Sequence, residues 1–143
     1  MAIKQITVFV ENKQGALVSI TDILAQNRVN IRALSIAETN DFGILRLIVN
    51  DEETAEKTLS ENGYLIKITE VVGVKIGDDP GKLTAALGVL DRAGINMEYL
   101  YAFMARTEKH AYVVFRVEDN EIAENALAKA GFSLITNADV AKL

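Results

Sequence analysis

The sequence contains no cysteine, and its 143 residues include a single histidine and a single proline. The absence of cysteine excludes disulfides, thiolate metal ligands and cysteine nucleophiles, and it is typical of proteins from a reducing compartment. We therefore expect a cytoplasmic protein. The one histidine, His110, lies in a predicted hairpin without partner residues, so we expect an exposed loop residue there. We expect no catalytic residue, no metal and no cofactor.

Long apolar runs and basic clusters are also missing. No segment approaches the ~18 apolar residues of a membrane span, and residues 1–6 lack the basic and apolar regions of a secretion signal. The formal net charge is -5 and the sequence shows no basic face for phosphate groups, so we expect neither a nucleic acid nor a membrane as partner. Half of the residues are hydrophobic, enough for a sizeable core. The expected partner is a small molecule.

One motif occurs twice in the sequence. Gly15 precedes Asn30 by 15 residues, and 66 residues further along the chain Gly81 precedes Asn96 by the same spacing. Self-similarity over such a long period indicates duplicated folding units. We place the first unit at residues 1–69 and the second at residues 70–143.

Each unit shows the order strand, helix, strand, strand, helix, strand. β-Branched and aromatic residues predict the strands, and apolar residues at helical spacing, such as Leu17, Ile20 and Leu24, predict the helices. The predicted strands are 3–10, 30–38, 43–49 and 64–69 in the first unit and 71–76, 96–105, 111–117 and 132–136 in the second. The predicted helices are 15–27, 51–63, 80–93 and 119–130. This order is that of the ferredoxin-like βαββαβ fold.

The two predicted units follow each other without a linker. Residues 64–76 form a nearly unbroken β-prone run in which Gly73 is the only weak point. We therefore expect an α+β fold in which two βαββαβ units lie side by side and form one continuous antiparallel sheet with helices on one face. The second unit is two residues longer, and we place this insertion in its hairpin, around residues 106–110.

The turn before each repeated glycine has chemistry that suits an amino acid. It leads from a strand into a helix N-terminus, where unpaired backbone N–H groups and the helix dipole favour an anion. Glycine allows a ligand to approach the backbone closely, and the amides of Asn12 and Asn30 both donate and accept. An amino acid needs N–H donors for its carboxylate and oxygen acceptors for its ammonium group. In the second copy Asp78 takes the place of Asn12.

These residues resemble a known family. The segment Glu11–Leu17, together with Asn30 and Ile31 at the start of the next strand, is similar to the ACT domain, a small regulatory βαββαβ module that binds amino acids. The resemblance covers nearly the whole chain, twice. It implies that the two domains join their sheets through the edges of their second strands, and that ligands lie between the turn of one domain and the second strand of the other.

The resemblance implies two ligand sites in this sequence. The first site comprises Asn12, Gln14, Gly15, Ala16 and Leu17 with Asn96 and Met97 of the other unit. The second site comprises Asp78, Gly81, Lys82 and Leu83 with Asn30 and Ile31. Because Asp78 replaces an asparagine, we expect the two sites to differ in affinity. The alternative is that the glycines only form turns and the asparagines only begin strands.

The predicted strand at residues 96–105 is apolar on both faces, through Met97, Tyr99, Tyr101, Phe103 and Met104. A strand of this kind is usually covered on both sides, and a large exposed apolar area usually marks an interface. We therefore expect a second chain to cover the open face of the sheet in a homodimer. The alternative is a ligand pocket lined by the aromatic side chains.

Three functions compete at this stage. The leading hypothesis is a non-enzymatic regulatory protein that senses a free amino acid and acts allosterically on another protein. The second is a regulatory subunit that acts on a metabolic enzyme through protein contacts, similar to the small subunit of acetohydroxyacid synthase, although an obvious extra C-terminal domain of that type is missing. The third is an enzyme that hydrolyses acyl phosphates on a ferredoxin-like fold. That chemistry needs an arginine in the anion-binding turn, and residues 12–15 contain none.

Overall fold

The computed structural model describes residues 2–39, 41–104 and 109–143. These residues form seven strands and five helices in the order β1 (Ile3–Glu11), α1 (Ala16–Gln26), β2 (Ile31–Glu38), β3 (Phe42–Val49), α2 (Glu52–Glu61), β4 (Leu65–Gly77), α3 (Lys82–Arg92), β5 (Met97–Ala102), β6 (His110–Val117), α4 (Asn120–Lys129), β7 (Ser133–Ile135) and α5 (Asn137–Lys142). The predicted α+β fold with two βαββαβ units is confirmed. Asn40, between the predicted strands 30–38 and 43–49, and most of the predicted insertion at 106–110 lie outside the described residues.

The long strand β4 belongs to both units. The sequence predicts two strands here, at 64–69 and 71–76, but the chain continues through both as one strand of 13 residues. From Leu65 to Val71 it pairs with β1, and from Val72 onward it pairs with β6 and β7. The predicted domain boundary after residue 69 lies within this strand. Sharing β4 makes one continuous antiparallel sheet of the two units.

The sheet curls until its two edges meet. Its strand order is β2-β3-β1-β4-β6-β5, with β7 beside β4. An antiparallel bridge joins Ala33 of β2 to Phe103, just beyond β5, and Met104 donates its backbone N–H to the carbonyl of Arg32 at 2.8 Å. The second-strand edges of the two units therefore touch at this point. The helices α1 to α4 cover the outer face of the curl.

Three hydrophobic cores follow from this arrangement. Each unit has one core between its sheet and its two helices, centred on Leu24 and Leu47 in the first unit and on Leu90 and Phe115 in the second. The third core lies inside the curl and contains residues of both units: Ile3, Ala33, Ile48, Val71, Tyr101, Phe103, Tyr112, Val114, Ile135 and Val140.

The third core accounts for the apolar strand that suggested a homodimer. Tyr101 and Phe103 are buried against residues of the first unit, including Ile3 and Ile48. The inner face of β5 is thus covered by the chain itself. Homodimerisation stays a prediction, and the burial of these aromatic side chains no longer requires it.

The histidine at position 110 was expected in an exposed loop, and this expectation is wrong. His110 is half-buried and is the first residue of β6, where it pairs with Gly77 at the end of β4. The strand β6 begins one position before the predicted strand, because its pairing with β4 extends past Ala111, the first apolar residue, to His110.

The short helix α5 was not predicted from the sequence. Thr136 and Asp139 form a reciprocal capping box, in which the Asp139 N–H donates to the Thr136 hydroxyl at 3.2 Å and the Asp139 carboxylate accepts from the Thr136 N–H at 2.9 Å. Val140 is 2% exposed and packs into the third core. Arg32 of the first unit donates to the carbonyls of Val140 and Ala141 at 3.2 and 3.1 Å. The helix α5 therefore closes one end of the curled sheet and links the two units.

The helices α2 and α4 begin at capping aspartates. Asp51 accepts a hydrogen bond from the Thr54 N–H at 3.1 Å, and Asp119 accepts one from the Ile122 N–H at 3.2 Å. Asp51 is also the first residue of the helix predicted at 51–63. Hydrogen bonds from the Thr54 hydroxyl and N–H lower the pKa of the Asp51 carboxyl.

Replacing Asp51 with alanine should lower the free energy of unfolding by about 1 kcal/mol at neutral pH, because alanine cannot accept the Thr54 N–H. A carboxyl with a lowered folded-state pKa stabilises the protein above its unfolded pKa of about 3.9, and this stabilisation disappears as the pH falls through the folded pKa. The difference between the variant and the unchanged protein should therefore shrink in urea unfolding at about pH 3. A difference that is equal at both pH values would contradict this assignment.

In the part of the chain that the structure describes, none of the helices could span a membrane.

Candidate functional site

The two repeated glycines stand immediately before helices and have left-handed backbones. Gly15 has φ 87° and Gly81 has φ 90°, a conformation that residues with a Cβ rarely adopt. No side chain caps the helix that follows either glycine, whereas α2, α4 and α5 are each capped by a side-chain oxygen. The first N–H of each of these helices donates to a backbone carbonyl of the turn, at 3.3 Å for Ala16 and 3.2 Å for Lys82, and no side chain accepts from the N–H groups that follow.

Two adjoining cavities flank the first turn. The larger, of about 550 Å³, is lined by Phe9, Val10, Glu11, Lys13, Gln14, Gly15, Ala16, Ser19, Gly63, Tyr64 and Leu65. The other, of about 460 Å³, is lined by Val10, Glu11, Asn12, Lys13, Ala16, Leu17, Ile36, Glu38 and Gly43. The five residues predicted for the first turn therefore all line one or both of these cavities, and Ala16 lies between them.

The structure adds two carboxylates that the sequence analysis missed. Glu38, the last residue of β2, lines the smaller cavity together with Asn12. Glu11 lines both cavities and forms an ion pair with Lys13, whose Nζ lies 2.9 Å from Oε2. The hydrogen bond to Glu11 raises the pKa of Lys13. Acidic residues at the ends of strands were the signal available in the sequence. Which of these residues lie next to the binding turn depends on the order of the strands in the sheet.

The second turn has an equivalent but smaller cavity, of about 360 Å³. Its lining residues include counterparts of the first cavity at spacings of 66 or 68, with Ile76 for Val10, Lys82 for Ala16, Gly131 for Gly63 and Phe132 for Tyr64. The Lys82 stem lies against Gly77, where an added Cβ would be 3.0 Å from Lys82 Cγ. The duplication therefore preserves the cavity and places an ammonium group where the first unit has a methyl group.

The other residues predicted for the second turn lie on its surface. Gly81, Leu83 and Asp78 are exposed, and the backbone N–H of Asp78 donates to the Lys109 carbonyl at 3.1 Å. Of the four residues predicted at this turn, Lys82 lines the cavity.

The residues expected to complete each site from the opposite unit lie elsewhere. Asn96 lines a cavity of about 500 Å³ within its own unit, beside Glu118 and Asp119. The Asn30 N–H donates to Asn50 Oδ1 at 2.8 Å. Met97 and Ile31 pack partly against the cores of their own units. Each cavity at the turns is lined by residues of one unit, so the contribution from the opposite unit stays a prediction.

The described residues contain no group of three or more histidines and acids arranged to hold a metal ion. The chemistry available at the turns consists of backbone N–H donors, amides, carboxylates and, in the second unit, one lysine. This set can bind a small zwitterion through its charged ends.

Comparisons with known proteins agree with this architecture. A family model described as an ACT domain pair matches residues 1–143. The structure is similar to that of a protein from Bacteroides thetaiotaomicron, with 38% sequence identity, coverage of 100% of this chain and 98% of that chain, and a TM-score of 0.93. No curated protein matches the chain.

Two more distant structures share the fold. The ligand-free regulatory subunit of aspartate kinase from Thermus thermophilus is 18% identical, with coverage of 90% of this chain and 92% of that chain and a TM-score of 0.63. Aspartate kinase from Synechocystis is 21% identical, with coverage of 90% of this chain and 26% of that chain and a TM-score of 0.57. At these identities the likeness concerns the fold alone.

Proposed function

The chain belongs to the ACT domain pair family, and we propose that it is a non-enzymatic regulatory protein that binds a free amino acid at its repeated turns. The observation that carries this proposal is the pair of helix starts without side-chain caps, each behind a left-handed glycine. The N–H groups there suit a carboxylate. The adjoining cavities have the size of small-molecule sites.

In the first unit, the two ends of an amino acid have complementary partners. Its carboxylate accepts hydrogen bonds from the N–H groups at the start of α1. Its ammonium group faces the amide oxygen of Asn12 and the carboxylate of Glu38, which line the same cavity. Its side chain enters the larger cavity beside Phe9 and Tyr64. In the second unit, the Lys82 ammonium group adds a positive charge to the cavity, so the two turns bind an amino acid with different affinity.

Ligand binding acts on a partner protein in this proposal. The first turn joins β1 to α1, and its cavities also include residues of β2 and the start of β4. A ligand there fixes these elements relative to one another and alters a surface that a metabolic enzyme or another protein can recognise. The protein is cytoplasmic and homodimeric in this proposal. A role as a regulatory subunit that acts through protein contacts alone is the second candidate, and it requires no ligand.

A panel of the twenty amino acids should identify the ligand by its effect on thermal unfolding. At a concentration of 100 times Kd, one occupied site adds about 2.7 kcal/mol to the free energy of unfolding. For a chain of this length, that raises Tm by roughly 5–10 °C. The absence of any shift at millimolar concentrations would contradict amino-acid binding and favour the second candidate.

Substitution of Ala16 locates the site. Ala16→Leu fills the space shared by both cavities of the first turn and should weaken binding there at least tenfold in calorimetry. Ala25→Leu, at an exposed position of the same helix, is the matched control and should leave binding unchanged. This pair avoids Gly15, at which any side chain would strain the backbone.

Asn96→Ala tests the opposite unit, since a loss of affinity at the first site supports its contribution and unchanged affinity contradicts it.

A further inference from the structure

The helix α5 covers one end of the curled sheet, and the other end has no such cover among the described residues. At one end the buried Val140 of α5 packs against the inner face. At the other end, the inner face is open to solvent among the described residues, with Leu65 69% and Phe42 42% exposed. Phe9 pairs with Ile44 on one side and with Leu65 on the other, which places these apolar side chains on the same open face.

The open end has polar residues at positions whose repeat counterparts in the second unit are glycine or apolar residues. The repeat spacing of 66 or 68 residues relates Thr7 to Gly73, Arg46 to Val114 and Lys67 to Ile135. The second-unit residues are buried, and Val114 and Ile135 belong to the third core, which α5 closes. In the first unit, Thr7 pairs with Arg46 on β3 and with Lys67 on β4. Two cations therefore flank the Thr7 hydroxyl on this face, and Thr7 itself is 8% exposed.

Arg46 is placed by a contact between the units. Its guanidinium carbon lies 3.8 Å from the centroid of the Tyr99 ring, which belongs to the second unit. Arg46 is half-buried, and no hydrogen bond or ion pair joins it to another described residue. The neighbouring Arg116 differs, because its Nε lies 3.4 Å from Glu98 and its Nη1 donates to the Val117 carbonyl at 3.1 Å. A stacked guanidinium presents its N–H groups at its edges, where they suit a planar or tetrahedral oxyanion.

A buried glutamine orients two further donors at this end. Gln5 is fully buried and donates to the Thr7 hydroxyl at 3.2 Å and to the Tyr99 hydroxyl at 2.9 Å. Because both oxygens accept from Gln5, their own O–H groups are available to donate to a ligand. The open end thus combines two cations and two hydroxyl donors with the apolar side chains of Phe9, Ile44 and Leu65.

We propose that the open end of the curled sheet binds a small organic oxyanion, a carboxylate or a phosphate monoester with an apolar body, through Arg46 and Lys67. Thr7 and Tyr99 donate to the same anion, and the apolar side chains contact its body. The anion-binding groups are separate from the amino-acid sites, since Arg46 and Tyr99 line neither cavity of the first turn, whereas Phe9 and Leu65 also line the larger of these cavities. Because Tyr99 comes from the second unit, the bound anion connects the two units.

Tyrosine fluorescence can report binding, because the sequence contains no tryptophan and Tyr99 contacts the proposed site. Phenyl phosphate, benzoate and inorganic phosphate are titrated at constant ionic strength. Phenyl phosphate or benzoate should give a saturable change, and the stronger of the two identifies the anion as phosphate or carboxylate. Inorganic phosphate should bind at least tenfold more weakly because it lacks the apolar body. No saturable change with either aromatic anion would overturn the proposal.

Arg46→Met should weaken binding of the better aromatic anion at least tenfold. Arg92→Met removes an exposed arginine of α3 and is the matched control for net charge, with no expected effect on affinity. Lys67→Met provides a second test that is independent of packing, because the Lys67 side chain is exposed, and it should weaken binding at least threefold. Equal affinities in all three variants would show that the anion binds elsewhere and would overturn the proposal.

Discussion

Replacing Gly73 with valine should lower the free energy of unfolding by about 3 kcal/mol. Gly73 lies on the inner face in the middle of β4, where an added Cβ would overlap Cδ1 of Ile3 and lie 3.3 Å from Cβ of Ile135. Both neighbours are buried in the third core, so neither side chain can move aside into solvent. Overpacking of a close-packed core typically costs about 1–3 kcal/mol, and valine adds two methyl groups beyond the Cβ. Urea unfolding followed by circular dichroism measures the loss.

A double-variant cycle tests whether Ile3 is the cause. Gly73→Ala alone should cost about 2 kcal/mol, and Ile3→Val, which removes Cδ1, should cost about 1 kcal/mol. Because the second change removes the overlapping methyl group, the double variant should be at least ~1 kcal/mol more stable than the sum of the single losses predicts. Gly88→Ala in α3 is the control, since the nearest atom to its added Cβ is the flexible Arg92 Nη1 at 3.2 Å. Additive losses would contradict the proposed overlap.

The close approach at Gly73 is where the sequence was least informative about the fold. The β-prone run at 64–76 predicts strand throughout, with the glycine as its only weak point. Its lack of a side chain serves packing instead, because Ile3 and Ile135 occupy that space. This contact joins residues 70 and 62 positions away along the chain, and local patterns contain no information about such distant contacts.

The repeated βαββαβ order was predictable because each element carries its own signal. Helical spacing of Leu17, Ile20 and Leu24 and the glycine at each helix start are local features. The curl of the sheet is not local, since alternation along a strand distinguishes its two faces without indicating how strongly the sheet bends. The apolar face of β5 therefore predicted a second chain, where the structure buries Tyr101 and Phe103 within the same chain.

The helix α5 carries a signal that can be recognised afterwards. Thr136 and Asp139 have the spacing of a capping box. A helix of six residues is too short to be stable alone, and its stability depends on the burial of Val140 and on the hydrogen bonds from Arg32. Those contacts come from the fold, and the capping signal alone does not establish a helix.

In the candidate site, the residues of the turn could be predicted from the sequence, and their neighbours from other strands could not. The turn residues followed from the glycines and from the helix starts, because both are local features. Glu38 was missed because its place in the same cavity as Asn12 depends on strand order. Arg46 and Tyr99 are 53 residues apart and belong to different units, and only the curl brings them into contact.

Replacing Gln5 with leucine should lower the free energy of unfolding by about 3 kcal/mol, because this side chain joins the two units inside the curl. Its Oε1 accepts a hydrogen bond from the Tyr101 hydroxyl at 2.6 Å, and its Nε2 donates to Thr7 and Tyr99. Burial raises the pKa of Tyr101, so its hydroxyl stays protonated and needs an acceptor. Each buried polar group left without a partner costs about 1–3 kcal/mol. Urea unfolding at neutral pH measures the loss.

A second substitution separates the hydrogen bond from the packing of Gln5. Tyr101→Phe removes the hydroxyl that the leucine cannot satisfy, and exchanging both partners for apolar groups is often nearly neutral. The Gln5→Leu, Tyr101→Phe double variant should therefore be at least ~1 kcal/mol more stable than Gln5→Leu alone. Gln26→Leu, at an exposed position of α1, should change stability by less than about 0.5 kcal/mol. If the double variant is as unstable as Gln5→Leu, the unpaired Tyr101 hydroxyl is not the cause, and the shape of the buried side chain determines how the two units pack.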